Sequence, residues 1–208
     1  MPVLSLRNIE LSFQDKTIIK DFNLVLTKGE KVALKGRSGS GKTSILNLIM
    51  GFGNPDTGEI KYHDKILAKN DFSRIRKKIC WLPQNVNIFG RGKVENIINF
   101  PFSFHENKKL KPSKNELESL LAGLNLDTDI LNKDFENISG GERQRIGILL
   151  CKLLKRELIL LDEPTSALDK ESIEKMQEMI LKDAELTVLS ASHDDDWLAY
   201  CDRVIDIE

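Results

Sequence analysis

Gly36-Arg37-Ser38-Gly39-Ser40-Gly41-Lys42-Thr43 follows the alternating stretch Lys31-Val32-Ala33-Leu34-Lys35. It precedes Ser44-Ile45-Leu46-Asn47-Leu48-Ile49-Met50, whose apolar residues recur at helical spacing. The eight residues fit G-x-x-x-x-G-K-[ST], a phosphate-binding loop, and the flanks predict the strand–turn–helix context that such a loop needs. Glycines let the backbone approach a phosphate with its N–H groups turned inward. The N-terminus of the following helix adds positive partial charge. Gly36, Arg37, Ser38, Gly39, Ser40 and Gly41 are thus expected to cradle the phosphates of a nucleotide. Lys42 is expected to reach the β- and γ-phosphates, and Thr43 to offer its hydroxyl to Mg²⁺.

On the N-terminal side, Val3–Phe13 reads as a strand, followed by a turn at Gln14-Asp15-Lys16 and a second strand, Phe22–Leu26, ending at Lys28-Gly29-Glu30. Gly58–Tyr62 reads as a further strand of the same antiparallel piece. Phe72–Lys78 is expected to be a short basic helix, and Ile79–Gln84 a strand closed by a polar residue. Between Asn85 and Asn137 the composition shifts to prolines, an aromatic cluster and two helical patterns, Val94–Asn99 and Lys114–Leu121. This region reads as an inserted helical lobe, 85–137. Helix 140–155, strand 157–161, helix 170–183, strand 186–191, a short helix at 194–199 and strand 203–207 complete the chain. The expected architecture is one α/β domain over 1–208: a P-loop NTPase with a mostly parallel sheet core in 1–84 and 138–208, an antiparallel β subdomain and the helical lobe.

Composition narrows the function classes. With 208 residues, 40% hydrophobic, 30% charged and a net charge of −1, the chain is an ordinary globular protein without a polyelectrolyte signature. Nucleic acid is not expected as a partner. Cys80, Cys151 and Cys201 lack the paired spacing of a zinc site and read as reduced thiols. The first residues carry no signal-peptide pattern, and no apolar run reaches the ~18 residues of a membrane-spanning helix. Work at a membrane would need another chain.

Downstream of the loop, Leu158-Ile159-Leu160-Leu161-Asp162-Glu163 reads as a buried strand ending in two acids. In nucleotide hydrolases Asp162 would sit beside Mg²⁺ and Glu163 beside the attacking water; the plain alternative is a strand followed by an acidic loop. Ser139-Gly140-Gly141-Glu142 opens a helix, either to leave amides free for an anion or simply as a capped start. Gln84, at a strand end, and His193 are weak signals taken singly.

In order, these motifs resemble the ATP-binding cassette (ABC) ATPase family over essentially the whole chain, with Ser139–Glu142 matching its signature. The resemblance implies that Gly36–Thr43 is the Walker A loop and that Gln84 senses Mg²⁺ and the transport partner. It makes Asp162 the Walker B aspartate, Glu163 the catalytic glutamate, Ser166-Ala167-Leu168-Asp169 the D-loop and His193 the switch histidine at the γ-phosphate. Phe13 stands where an aromatic stacks on adenine; the alternative for Phe13 is a buried strand aromatic. ATP and Mg²⁺ are the implied cofactors. The implied partner is a second copy of the chain, packed head to tail so that Ser139, Gly140, Gly141 and Glu142 of one close on the ATP held by the other.

Long coiled-coil arms, a second cassette and zinc modules are all missing from this sequence, and the chain stops soon after Val204-Ile205-Asp206. The expectation is a minimal cassette in the cytoplasm, held at the inner face of the membrane by a separately encoded permease. The runs Glu95–Pro101 and Thr128–Lys133 resemble the ATPase of a bacterial iron-export system, although Lys93 and Arg37 depart from that pattern. Lipoprotein-release and macrolide-export cassettes are the nearest competitors. A soluble ABC ATPase acting on an iron–sulfur scaffold is the alternative class. Phe100-Pro101-Phe102-Ser103-Phe104 either helps dock the membrane subunit or forms the core of the lobe.

Overall fold

The structure, a computed structural model, describes residues 1–14, 16–86 and 90–207. Asp15 of the expected turn and residues 87–89 of the expected lobe lie outside it. Four antiparallel strands, β1 (Pro2–Phe13), β2 (Lys16–Thr27), β4 (Thr57–Tyr62) and β5 (Lys65–Ile66), form one sheet in the order β2-β1-β4-β5. Five strands, β3 (Lys31–Lys35), β6 (Ile79–Leu82), β7 (Leu158–Asp162), β8 (Thr187–Ala191) and β9 (Arg203–Asp206), form a second sheet in the order β6-β7-β8-β3-β9. All its pairings are parallel. The α-helices are α1 (Lys42–Met50), α2 (Phe72–Ile75), α3 (Val94–Asn99), α4 (Lys114–Gly123), α5 (Gly140–Leu153), α6 (Lys170–Met176) and α7 (Asp195–Leu198).

The parallel sheet is covered on both faces, which is why its strands are continuous apolar runs. Along β7, Leu158 and Leu160 join a core built with β1, β2 and α1 (Leu4, Leu26, Ile45, Ile49). Ile159 and Leu161 point the other way, into a second core shared with α5, Trp197 and residues of the 85–137 region such as Ile98, Leu121 and Phe135. Each fully buried Leu or Ile of this kind contributes on the order of 1.5–3 kcal/mol.

Several elements differ from the sequence reading. β2 starts at Lys16 instead of Phe22. Asp21 has φ 47° and the β1–β2 register shifts nearby, so a bulge breaks the alternation by which a strand is recognised. The expected basic helix is α2 followed by a 3₁₀ turn, Arg76–Lys78. The expected helix 170–183 is α6 continued by a π-type turn, Gln177–Leu181. Between β6 and α5 the described backbone carries two α-helices, α3 and α4, and several short 3₁₀ turns joined by irregular segments, with an isolated bridge between Lys93 and Asp134. The aromatic cluster divides: Phe102 is buried, whereas Phe100 and Phe104 are 64% and 54% exposed, their rings edge to edge-on face at 5.4 Å.

Candidate active site

Parallel register brings the motifs together. Leu34 of β3 pairs with Ala191 of β8, Ala191 pairs with Asp162 of β7, and Leu161 of β7 pairs with Leu82 of β6. The carboxyl ends of these four strands therefore lie side by side. Each runs on into a motif: the glycine loop after β3, Gln84 after β6, Glu163 after β7 and His193 after β8. In an open parallel sheet this edge is where ligands bind. A cleft of about 640 Å³ opens there, lined by Ile18, Gly36, Arg37, Ser38, Gly39, Gly41, Lys42, Thr43, Ser44, Gln84, Glu163 and His193.

The glycine loop is shaped for an anion. Gly41 has φ 100°, and a Cβ on it would lie 2.9 Å from Cγ1 of Ile19, so only glycine serves at the start of α1. The hydroxyl of Ser40 is buried and has no hydrogen-bond partner among the described residues. Lys42, 6% exposed, donates from Nζ to the carbonyls of Gly36 (2.7 Å) and Arg37 (3.1 Å) and pairs with Glu163 at 3.5 Å. Its ammonium thus spans the hollow that phosphate oxygens would enter.

The acids form the opposite wall. Thr43 Oγ1 donates to the Asp162 carboxylate, 2.9 and 3.1 Å from its two oxygens. The Thr43 hydroxyl, the Asp162 carboxylate and Gln84, which lines the same cleft, are oxygen donors of the kind Mg²⁺ prefers, and these residues would hold it. Burial, with the charge of Glu163 beside it, raises the Asp162 carboxyl above its ordinary value; a divalent cation would reverse that. Glu163 is 9% exposed, and its φ of 47° is uncommon for a residue with a side chain. Its backbone N–H donates to Ala191 (2.8 Å), and its carboxylate lies 2.8 Å from Nδ1 of His193, whose side chain is 71% exposed. Strain held at a buried acid between a cation and a histidine is characteristic of functional positions.

The remaining expected residues lie elsewhere on the chain. Ser139 caps α5: its Oγ accepts from the Glu142 N–H (3.1 Å), and the Glu142 carboxylate accepts from the Ser139 N–H (2.7 Å). The Ser139 N–H bond holds the Glu142 carboxyl below its usual range. A Cβ on Gly141 would lie 2.9 Å from the Ala167 carbonyl, so this glycine lets the helix start pack against Ser166–Asp169. None of Ser139, Gly140, Gly141 and Glu142 lines the cleft of their own chain. Phe13 is 65% exposed at the end of β1, which removes the reading of it as a buried core aromatic. It too stands outside the lining, whereas Ile18 and Ser44 are lining residues that sequence reading missed. The signal for Ile18 was present in Thr17-Ile18-Ile19, but the bulged strand disguised it.

Loop, acids and histidine at the carboxyl ends of a parallel sheet define a nucleotide hydrolase of the P-loop class. The profile of the family described as ABC transporter matches residues 19–166, and the chain belongs to that family. It is 32% identical over 197 residues to the ergothioneine transport ATP-binding protein EgtV of Helicobacter pylori, covering 93% of this chain and 91% of the relative. It is 33% identical to the thiamine import ATP-binding protein ThiQ of Haemophilus influenzae (99% and 95%). It is 32% identical to the Fe(3+) ions import ATP-binding protein FbpC 2 of Pectobacterium atrosepticum, spanning 98% of this chain but 59% of that longer relative. Among solved structures, a dimeric ATP-binding cassette in a post-hydrolysis state with ADP and Pi superposes with a TM-score of 0.82 at 26% identity, covering 99% of this chain and 94% of that one. The protein is thus an ABC ATPase that binds ATP with Mg²⁺ and hydrolyses it, of the kind that energises transporters.

Proposed function

We propose that this chain is one of two identical ATP-hydrolysing subunits on the cytoplasmic face of a membrane permease encoded by another chain. The observation that carries this reading is the joint presence of a complete hydrolytic wall and a signature that its own cleft does not use. Lys42, Thr43, Asp162, Glu163, His193 and Gln84 converge within one chain, while Ser139–Glu142 stand outside the lining. A head-to-tail dimer completes both sites, because a capped helix start with glycine amides then meets the γ-phosphate bound by the partner's loop. That a similar cassette has been solved as a dimer supports this arrangement.

Within the site, Gly36–Thr43 and Lys42 hold the triphosphate, Thr43, Asp162 and Gln84 would hold Mg²⁺, and Phe13 stacks on adenine. Bound there, Mg²⁺ neutralises charge on the phosphate oxygens. Glu163 accepts a proton from the attacking water, or orients it, and His193 holds the Glu163 carboxylate and faces the γ-phosphate. Residues 85–137 form the lobe that meets the permease. The exposed rings of Phe100 and Phe104 beside a groove lined by Trp81, Ile97 and Pro101 support that role. Among the described residues no helix is long and apolar enough to cross a membrane, so the chain's contact with one is assigned to its partner.

Export, with iron or another metal as cargo, is the first reading of direction and rests on the runs Glu95–Pro101 and Thr128–Lys133. Import is the second, favoured by relatives named for import of Fe(3+) ions and thiamine. Co-expression with membrane proteins from the same gene cluster tests the assembly: a tagged chain should retain a multi-span partner on purification, and its purification alone refutes the permease. Deleting the chain then decides direction. A cell that accumulates metal has lost an exporter; one that is depleted has lost an importer.

A further inference from the structure

Cys80 and Cys151 play no part in the nucleotide site. Cys80 lies on β6 and Cys151 near the end of α5; they are 8% and 1% exposed, with their sulfurs 2.9 Å apart. A disulfide bond is about 2.05 Å long, so closing this pair needs a movement of under about 1 Å. Their place in the topology matters more than their distance. They are 71 residues apart in sequence. The loop between them holds Gln84, the helical region 85–137 and the signature Ser139–Glu142. The chain leaves the parallel sheet after Leu82, shortly past Cys80, and α5 carries Cys151 back against β6, so the pair sits at the neck of what is inserted between them.

Both residues line a groove of about 300 Å³, together with Arg76, Trp81, Phe100 and Arg156. The hydrogen bond to Cys80 and burial push the Cys151 thiol up. The reactive thiolate form of Cys151 is therefore scarce at neutral pH and grows as the pH rises.

We infer that Cys80 and Cys151 form a redox-modification site, at which a small peroxide makes an intramolecular disulfide that clasps the neck of the helical region and slows ATP turnover. The step balances. One sulfur attacks a peroxide oxygen, the O–O bond breaks, and the hydroxide that leaves takes the thiol proton to become water, giving a sulfenic acid. The second sulfur attacks the first, and the hydroxyl leaves with the second thiol proton as water. The two sulfurs lose two electrons and hydrogen peroxide is reduced to two waters. The slowing rests on the reading above that Ser139–Glu142 must move onto the partner's nucleotide. A closed loop of this length also restricts the unfolded chain, so the oxidised protein should melt higher.

The test uses the full chain, without a membrane subunit to cover the groove, treated with hydrogen peroxide. Expected are a mass lower by two hydrogens, a cross-linked peptide containing Cys80 and Cys151, and, after denaturation, one alkylated thiol (Cys201) where the reduced chain gives three. Turnover should fall by about fivefold or more, in the range of coupling between distant sites, and recover with dithiothreitol. Cys80→Ala and Cys151→Ala should each be insensitive to peroxide. Cys201→Ser, which leaves the pair intact, should behave as the parent and keeps the test decisive if either pair variant fails to fold. Three alkylated thiols after peroxide, a cross-link through Cys201, or a disulfide that leaves turnover unchanged would each overturn the inference. A reduced chain that does not hydrolyse ATP at all counts against the hydrolase reading instead, and the mass and alkylation results still decide the disulfide.

Discussion

Replacing Glu163 by Gln removes one negative charge and one proton acceptor and leaves size and shape unchanged. A positioned general base contributes about 10²–10⁴-fold to a rate, or roughly 2.7–5.4 kcal/mol of barrier at 1.36 kcal/mol per decade. Phosphate release under saturating ATP and Mg²⁺ should thus fall by about a hundredfold or more. Binding should survive, because Lys42 keeps its bonds to the Gly36 and Arg37 carbonyls, and Thr43 and Asp162 are untouched. The fold should survive as well. The lost pair to Lys42 at 3.5 Å is offset by relief of repulsion from Asp162, and an amide oxygen can still meet Nδ1 of His193. A net change within about 1 kcal/mol corresponds to roughly 2–4 °C in melting temperature for a chain of this size. Three measurements on one preparation are needed: phosphate release, ATP calorimetry and thermal unfolding. Hydrolysis at the parental rate with normal ATP affinity refutes the assignment of Glu163 as base. With turnover blocked, ATP should hold the chain as a dimer in light scattering, and Ser139→Arg, placing bulk at the signature, should abolish it. A nucleotide-loaded variant that stays monomeric refutes closure of the signature in trans by the chain alone.

Three further outcomes follow from the same geometry. Lys42→Ala removes the buried cation of the loop and should abolish ATP binding in calorimetry while circular dichroism stays parental; near-normal affinity would remove the loop from the site. Phe13→Ala should weaken ATP by ~1 kcal/mol, the scale of aromatic stacking, with little change in melting temperature since the ring is 65% exposed; unchanged affinity means that Phe13 is a bystander. The Glu142 carboxyl titrates below its ordinary value of 4.5 in the folded chain, so its contribution is present above that value and lost as pH falls through the lowered one. Glu142→Gln should therefore melt below the parent at pH 7 and approach it as the pH falls well below 4.5, and a gap that does not narrow refutes the role of the capping box.

Local signals carried this sequence far. The glycine loop was legible because it is a pattern of eight consecutive residues, and the strand and helix that flank it are themselves local patterns. Ser139 with Glu142, three apart, is also a local device, and the structure finds the expected cap. The elements that differ from the sequence reading, β2 extended past its bulge and the expected helix 170–183 that passes from α6 into a π-type turn, are those where regular periodicity fails. Other relations have no local trace. Glu163 and His193 meet because β7 and β8 pair in parallel with Asp162 opposite Ala191, a register set by burial on both faces of the sheet. The exposure of Phe13, the division of the Phe100–Phe104 cluster and the entry of Ile18 into the cleft were decided by packing between distant segments. So was the meeting of Cys80 and Cys151, across 71 residues. A residue's own type states what chemistry it can offer; only the packed chain, by choosing which side chains leave water together, decides what that chemistry faces.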